Sequence, residues 1–356
     1  MEAIGTSLRR AEQQSGFKAI SAFVGIAGAH IESTNNHAIV AVRHSDSVVS
    51  PDDVARVIDG ARIIQLPPDQ EILHVIPHHY VVDGMDGIKD PIGMVGHRLE
   101  VEANIVTGST TSIHNLVRCV ESVDVELDGL VLEPLAAGQA VLSEQEREHG
   151  SMVIDMGGGT TDAAVFRDGS VVHAFVLPVG GHQISNDLAF GLRAALASAE
   201  ELKIRFGSTI SHARPEGETV MLPGYGQDES QAVEQRTLAE IIDARLAETF
   251  ELVQAQVARA GFGEDYSAGV VLTGGSAQIP GASALASEVF GVPARLGVPL
   301  GVHGLADAVR SPAFSTSVGL LAWGREQLAP GDDWRGSAQL GRLGATLRAW
   351  LRNFFP

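Results

Sequence analysis

The segment at residues 153–162 carries the strongest indication of chemistry in this chain, because an apolar run there leads into three glycines and two threonines between aspartates. Glycine has no Cβ, so its backbone N–H can approach anionic oxygens closely, and threonine hydroxyls add donors. A carboxylate in this position can hold a magnesium ion through water. The segment predicts a phosphate-binding turn, although a tight hairpin would use the same glycines. Its candidate residues are Asp155, Gly157, Gly158, Gly159, Thr160 and Thr161.

Two more glycine turns and a charged pair accompany this segment. Residues 270–277 end another apolar run in paired glycines, which suits a nucleoside base or ribose lying against the backbone, and residues 177–181 form a further turn. Glu200 and Lys203 share a helical face at i,i+3 spacing, which by itself is typical of a solvated ion pair. The candidate residues here are Gly180, Gly181, Glu200, Lys203, Gly274, Gly275 and Ser276.

The order of these motifs resembles the superfamily of actin, sugar kinases and DnaK-type ATPases. That resemblance implies a site for ATP and Mg²⁺, with Asp155 as the metal-binding residue. Residues 132–137 resemble the Glu-Pro-x-Ala-Ala segment of the same superfamily, in which the glutamate orients the attacking water, so Glu133 is the expected catalytic residue. A glutamate at a helix start is also favoured by the positive end of the helix macrodipole, which would explain its presence without catalysis.

The elements that must position these residues are a mixture of helices and strands. Ser50 followed by Pro51 predicts a helix N-cap and a first helical residue, and residues 167–170 predict a hairpin turn. The predicted helices cover residues 7–15, 51–61, 112–122, 134–142, 186–206, 236–260 and 280–290. The predicted strands cover residues 19–26, 39–42, 71–82, 98–107, 130–132, 163–166, 171–177 and 270–275, the last running into a glycine turn.

Composition excludes several classes of protein. A chain of 356 residues that is 44% hydrophobic and 19% charged can form one large or two medium domains. The net charge of −19 disfavours nucleic acid as a partner. A single cysteine, Cys119, and no charged-then-apolar leader favour a reducing cytoplasm. No run approaches the roughly 20 apolar residues of a spanning helix, so an integral membrane protein is not expected.

Nearly the whole chain resembles the FtsA family of actin-like cell-division proteins. The segments that carry the resemblance are residues 22–31, 72–77, 82–84, 87–94, 96–101, 238–248 and 271–280. It implies an α/β, actin-like ATPase fold, in which two related domains surround a nucleotide cleft and an α+β subdomain is inserted. By that likeness the first domain covers residues 1–145 with the inserted subdomain at 17–107, the second covers 146–310, and 311–326 return to the first.

One departure from the family concerns the start of the chain. Family members begin with a strand and an Asp-Ile-Gly-Thr-type loop that closes on the nucleotide phosphates, whereas this sequence opens after that unit. We expect a start that is set too late, because the other nucleotide motifs are intact; loss of half the phosphate clamp is the alternative. In either case ATP should bind more weakly than to a chain extended upstream.

The carboxyl-terminal residues predict a membrane-targeting helix at 340–356, preceded by a linker at 327–339 with a Pro-Gly-Asp-Asp run. On a helical wheel, one apolar arc contains Leu340, Leu343, Leu347, Trp350, Leu351, Phe354 and Phe355. From Arg335 onward there are four arginines and no acids, which leaves the preceding residues with a net charge of −23. Such a helix lies in the headgroup plane of anionic lipid. The alternative is an amphipathic helix packed on its own domain or on a second subunit.

The resemblance implies a cell-division protein that binds ATP, self-associates, and tethers the FtsZ ring to the membrane by binding the FtsZ carboxyl-terminal peptide. It also implies recruitment of later division proteins, a peripheral position on the cytoplasmic side of the membrane at the septum, and at most a weak ATPase activity. Two alternatives use the same scaffold: a PilM-like pilus-assembly ATPase, and a sugar or acetate kinase, for which no acceptor-site carboxylate stands out. A chaperone is least favoured, because no substrate domain follows the ATPase core.

The densest histidine group is His74 with His78 and His79. His74 and His78 would share a face only in a helix, and the surrounding Pro77 and β-branched residues favour a strand. A structural metal is therefore not expected from this group.

Overall fold

The computed structural model describes residues 2–43, 46–210, 217–223, 230–302 and 309–328. These residues form two compact units. The first contains residues 2–139, 170–174 and 319–328, and the second contains residues 140–169 and 175–318. The predicted membrane-targeting helix at 340–356, with its seven apolar residues, lies outside the described residues.

The helices and strands follow the chain in this order. The helices are α1 Glu2–Ser15, α2 Pro51–Ala61, α3 Thr110–Glu121, α4 Glu133–Val141, α5 Glu144–His149, α6 Gly181–Gly191, α7 Leu196–Phe206, α8 Gln235–Arg259, α9 Ala282–Phe290 and α10 Ser315–Leu328. The strands are β1 Ser21–Ile26, β2 Glu32–Ala41, β3 Gln70–Val82, β4 Met85–Ile88, β5 Arg98–Ser109, β6 Glu126–Leu132, β7 Ser151–Met156, β8 Thr161–Arg167, β9 Ser170–Leu177, β10 Thr219–Pro223, β11 Ser230–Glu234, β12 Val270–Thr273 and β13 Ala294–Leu296.

In the first unit, β1 and β6 pair in parallel, and an antiparallel sheet has the order β2-β5-β3-β4. Helix α2 packs on that sheet over a buried apolar core, which contributes roughly 1.5–3 kcal/mol for each large side chain removed from water. The core residues are Ala38, Val49, Val54, Val57, Ile58, Ala61, Val75, Tyr80, Val82, Leu99, Val101, Ala103 and Ile105.

The start of α2 confirms the predicted cap. The Ser50 side chain accepts from the backbone N–H of Asp53, and the Asp53 carboxylate accepts from the backbone N–H of Ser50, so a complete capping box forms with Pro51 in the first turn. Burial raises the pKa of Asp53, but hydrogen bonds from Ser50, Arg56 and Arg43 outweigh it and lower that pKa to about 2. The local sequence therefore fixes this helix start.

The second unit contains a mixed sheet with the order β13-β12-β7-β8-β9. Strand β12 is parallel to both β7 and β13, whereas β7 and β8 are antiparallel. Strands β7 and β12 are buried along their whole length, which explains why both appear in the sequence as continuous apolar runs. Between β8 and β9, Asp168 and Gly169 both have positive φ, so the predicted hairpin turn is confirmed with the backbone pattern of a type I′ turn.

The prediction of one helix over residues 186–206 is wrong. Helix α6 ends at Gly191 and α7 begins at Leu196, with Arg193 between them at φ +50°. Gly191 allows close packing at this end, since a Cβ there would lie 3.0 Å from Ile241 of α8. The break lets α7 fold back against α6.

Several elements were not predicted: β4, β10, β11, β13, α5 and α10. Helix α10 includes Gln327 and Leu328, the first two residues of the predicted linker, and residues 329–339 lie outside the described part of the chain. Among the described residues, no helix is both long enough and apolar enough to span a bilayer.

Candidate functional site

The first glycine turn connects β7 to β8 in the second unit. The two strands pair up to Met156 and Thr161, so Gly157 to Thr160 form the connection, which is closed by a 2.9 Å hydrogen bond from the Gly157 N–H to the Thr160 carbonyl. Asp155 lies at the end of β7, one residue before the last position of the strand. The chain therefore leaves a buried strand beside a carboxylate and enters a glycine loop, as the sequence predicts.

The second glycine turn packs directly on the first. The N–H of Gly181 donates to the Gly157 carbonyl over 2.9 Å, and the N–H of His182 donates to the Gly158 carbonyl over 2.7 Å. A Cβ on Gly180 would lie 2.8 Å from both the Gly158 carbonyl oxygen and the Thr160 nitrogen, closer than any side chain allows. Glycine at position 180 is thus required by the approach of the two backbones.

The third glycine turn follows β12 and completes the cluster. Gly274 has φ +88°, and a Cβ on it would overlap the Asp155 Oδ1 atom. Ser276 donates a 3.1 Å hydrogen bond to the Gly157 carbonyl. Because β12 and β7 are parallel with Thr273 opposite Asp155, their carboxyl ends deliver two of the three turns to the same edge of the sheet.

Lys203 on α7 stabilises this cluster of turns through hydrogen bonds. Its ammonium group is buried and donates to the Gly181 carbonyl at 2.8 Å, the Ser185 hydroxyl at 2.9 Å and the Glu200 carboxylate at 2.8 Å. Burial raises the pKa of Glu200, but hydrogen bonds from Lys203 and Ser185 outweigh it, and the pKa is lowered. The pair is therefore not the solvated surface ion pair that its spacing alone suggested.

Asp155 is almost completely buried and is held by one residue that the sequence did not indicate. Its Oδ2 accepts a 2.5 Å hydrogen bond from the hydroxyl of Thr316, at the start of α10. Burial raises the pKa of Asp155, and the Thr316 hydrogen bond offsets only part of that rise. A nearby cation would favour the ionised form, so this carboxylate fits a divalent metal that prefers oxygen ligands.

Open space remains at two of the glycines. A Cβ on Gly159 or on Gly275 would meet no atom within 4 Å, in contrast to the crowded Gly180 and Gly274. The cluster is thus closed where its turns contact one another and open at one residue of the first turn and one of the third. A ligand with anionic oxygens and a flat ring fits such an opening, because backbone can approach it at both places.

The two threonines of the first turn have different surroundings. Thr160 donates a 2.9 Å hydrogen bond to Asp162, and it is only partly buried. Thr161 is fully buried and donates over 2.8 Å to the carbonyl of Val179, so its hydroxyl ties β8 to the second turn. Of the two, Thr160 is the one placed at the surface of the turn.

Glu133 belongs to the first unit, where it is the first residue of α4. Its side chain rests against β1, since a Cβ on Gly25 would lie 3.0 Å from Glu133 Cγ and 3.1 Å from Oε1. The preceding N–H, of Leu132, donates over 3.0 Å to Nε2 of the buried His74. Glycine at position 25 leaves the space that the glutamate side chain occupies.

Sequence reasoning missed Thr316, Ser185 and His182. Thr316 is 161 positions from Asp155, and only the fold brings the two together. Ser185 offered a weak signal, because it follows the Gly180-Gly181 pair by one helical turn and bonds back to the Gly181 carbonyl at 3.1 Å. The His182 ring lies over the first turn, 2.9 Å from the position of a Cβ on Gly158.

Comparisons with known proteins give the same family for two separate parts of the chain. The family model described as "Cell division protein FtsA" matches residues 152–319, and the model "SHS2 domain inserted in FTSA" matches residues 28–107. The "Cell division protein FtsA" of Pseudomonas aeruginosa is 42% identical over 93% of this chain and 79% of its own length. The proteins of that name from Neisseria meningitidis and Escherichia coli K12 are 39% and 33% identical over 100% of this chain and 87% and 86% of theirs.

Solved structures show the fold. MreB5 of Spiroplasma citri bound to ADP has a TM-score of 0.51 at 17% identity, covering 61% of this chain and 66% of its own. A PilM-PilN type IV pilus biogenesis complex has a TM-score of 0.60 at 15% identity, covering 90% of this chain and 84% of its own. The predicted α/β, actin-like ATPase fold with an inserted subdomain is confirmed.

Proposed function

This chain belongs to the family of the cell division protein FtsA, and on that premise we propose that it is an ATP-binding division protein that tethers the FtsZ ring to the cytoplasmic membrane. The proposal extends to self-association and to recruitment of later division proteins at the septum. The observation that carries its nucleotide part is the contact of three glycine turns around Asp155, locked by Lys203 and Ser276.

The residues of the second unit fit ATP and Mg²⁺. Asp155 would hold the metal ion, and the first glycine turn, from Gly157 to Thr160, would face the phosphates with its backbone amides. Gly275 and Ser276 would lie against the nucleoside, where a Cβ on Gly275 would meet only open space. When bound, Mg²⁺ neutralises phosphate charge. Glu133, in the first unit, is the residue we propose to orient a water molecule.

The membrane part of the proposal rests on the sequence beyond the described residues. An apolar arc that includes Trp350 and a tail charge of +4 on a body of −23 suit insertion into anionic lipid. Arginine side chains near such a surface contribute about 1 kcal/mol each. A peripheral position on the cytoplasmic face follows from this reading.

The proposed partners are the FtsZ carboxyl-terminal peptide, other copies of this chain and later division proteins. Membership of a division-protein family supports such partners in general. The PilM likeness, at 15% identity, concerns the fold alone, whereas 33–42% identity to the division proteins concerns function as well.

Two binding measurements on the full chain test the proposal. Calorimetry with ATP and Mg²⁺ should give one site per chain, and sedimentation with vesicles containing anionic phospholipid should bring a labelled FtsZ carboxyl-terminal peptide into the pellet only when this protein is present. Failure to bind nucleotide would contradict the site assignment. Failure to carry the peptide onto vesicles would contradict the tethering role.

A further inference from the structure

Four side chains of types that can ligate a metal lie together in the first unit, on the antiparallel sheet β2-β5-β3-β4, which we call the inserted sheet. They are His78 and His79 on β3, Glu102 on β5 and Asp86 on β4, and we call this group the histidine cluster. It shares no residue with the glycine turns of the second unit.

A β-bulge brings the two neighbouring histidines together. In a regular strand, consecutive side chains point to opposite faces of the sheet. Here the pairing with β5 shifts between Pro77, which faces Ala103, and His79, which faces Glu102, so His78 is an extra residue. Proline cannot donate to the ladder and is found at bulges in central strands, which gives Pro77 its part in this irregularity. As a result the two imidazole rings lie 4.7 Å apart in an edge-to-face arrangement.

The cluster converges on a small volume. Nδ1 of His78 and Nδ1 of His79 are 2.9 Å apart, while Nε2 of His79 lies 3.0 Å from an Asp86 oxygen and 3.7 Å from a Glu102 oxygen. One ligand atom each from His78, His79 and Glu102 lie within 4.8 Å of one another. His78 is buried, His79 is 19% exposed and Glu102 is 40% exposed. The cluster is therefore buried on the His78 side and accessible to solvent on the Glu102 side.

We propose that the histidine cluster binds a divalent transition-metal ion of the Zn²⁺ type. Two imidazole nitrogens and one carboxylate are a ligand set that Zn²⁺ uses with its fourth position open, and Asp86 or water can occupy that position. Mg²⁺ and Ca²⁺ prefer oxygen ligands alone, so nitrogen ligands select against them. Three adjacent strands supply the ligands, which makes the site part of the inserted sheet itself.

The competing explanation is an ion-pair network without metal. A protonated His79 could donate to His78 from one nitrogen and to Asp86 from the other, and its charge would also pair with Glu102. Both explanations use the same distances, so a metal-binding measurement must separate them.

The test uses the full chain without a histidine tag. Calorimetry with zinc chloride should show one site per chain, and Zn²⁺ should raise the Tm by at least about 2–4 °C, reversibly with EDTA. The substitutions H79Q and E102Q should each weaken Zn²⁺ binding at least tenfold. E102Q changes one exposed side chain without altering its size, so it keeps the test decisive if H79Q disturbs folding.

A control lies in the second unit, which contributes no residue to the cluster. His149 at the end of α5 is exposed and its Nδ1 lies 2.8 Å from the Gln145 carbonyl oxygen, so H149Q should leave Zn²⁺ affinity unchanged. Equal Zn²⁺ affinity in the native chain, H79Q and E102Q would overturn the proposal, and so would a Zn²⁺-induced Tm shift that is as large in H79Q and E102Q as in the native chain. Loss of nucleotide or vesicle binding has no bearing on these outcomes.

Discussion

The ammonium group of Lys203 donates to the carbonyl of Gly181 over 2.8 Å, so a side chain on α7 fixes the first residue of α6. The N–H of that same residue bonds to the first glycine turn. The reversal of the chain between α6 and α7 is what brings Lys203 to this point. The break between α6 and α7 thus positions a residue of the proposed nucleotide site.

The first prediction concerns Lys203 and its neighbour Arg205, which lie on the same helix. Lys203→Met should lower the free energy of unfolding by about 1–3 kcal/mol and weaken ATP binding, because buried acceptors lose their donor. Arg205 pairs with Glu201 at 2.9 Å, but both side chains are 62% exposed, so Arg205→Met should change stability by less than ~1 kcal/mol. Urea unfolding and calorimetry check both. Equal losses of stability and ATP affinity in the two variants would contradict a stabilising role for the buried Lys203 hydrogen bonds.

The second prediction contrasts neighbouring glycines of the third turn. Gly274→Ala should destabilise the protein by at least about 1–2 kcal/mol, because φ is +88° and the added Cβ would overlap Asp155. Gly275→Ala should leave stability within ~0.5 kcal/mol, since its backbone is in the right-handed helical region and the Cβ enters open space. That Cβ should nevertheless weaken ATP binding about tenfold. Unchanged ATP affinity in Gly275→Ala would place the nucleotide elsewhere.

The third prediction concerns Thr316. Thr316→Val removes the hydroxyl that donates to Asp155 and should weaken Mg²⁺-ATP binding about tenfold, because a hydrogen bond to a charged group contributes about 1.5–3 kcal/mol. ATP without Mg²⁺ should be affected less. Thr316→Ser keeps the hydroxyl and is the control. Equal losses with and without Mg²⁺, measured by calorimetry, would indicate a general packing effect instead of metal positioning.

Local signals predicted much of the fold. The Ser50 cap, the Asp168-Gly169 turn and the buried strands before each glycine turn depend on neighbours in sequence, and all are present. Strand β4 was missed although Asp83-Gly84 gives the usual signal of a two-residue hairpin, and both residues have positive φ. The α6–α7 break was missed because helix-favouring residues surround it, and Gly191 alone marks the end.

Relationships across the fold could not be predicted from the sequence alone. Thr316 reaches Asp155 only because α10 begins beside the end of β7, and nothing near Thr316 in sequence indicates this. Glu102 faces His79 only because a bulge shifts the strand register by one residue. One such shift changes which side chains meet across the sheet.

The fourth prediction concerns acid stability. Burial lowers the pKa of His74 to about 4. The Nε2 atom of its ring accepts a hydrogen bond from the backbone N–H of Leu132. In the unfolded chain the His74 imidazole takes up a proton as the pH falls below 6.5, whereas in the folded chain it stays neutral until about pH 4. The contribution of His74 to the free energy of unfolding is therefore fully present above pH 6.5 and is lost progressively between pH 6.5 and about pH 4. The loss should approach ~1.4 kcal/mol per pH unit for this group.

The substitution His74→Gln should reduce the slope of the free energy of unfolding against pH. A glutamine oxygen can still accept a hydrogen bond from the Leu132 N–H, but it takes up no proton. Burial also lowers the pKa of His173 to about 4, so part of the slope should remain. Urea unfolding at a series of pH values from about 7.5 to about 5 measures it. An unaltered slope in His74→Gln would contradict a neutral buried histidine.

The fifth prediction tests the carboxyl-terminal segment with two substitutions that add the same charge. Trp350 lies within the apolar arc of the predicted helix and Thr346 on its polar side. If the helix inserts its apolar face into lipid, Trp350→Glu should reduce sedimentation with anionic vesicles at least tenfold, because a carboxylate would enter the acyl boundary. Thr346→Glu should sediment nearly as well as the native chain, since its charge stays in water and offsets only one of four arginines.

Both variants should keep their ATP affinity, because neither changes the second unit. Equal reduction in the two variants would assign membrane binding to net charge alone, and no reduction in either would place the anchor elsewhere.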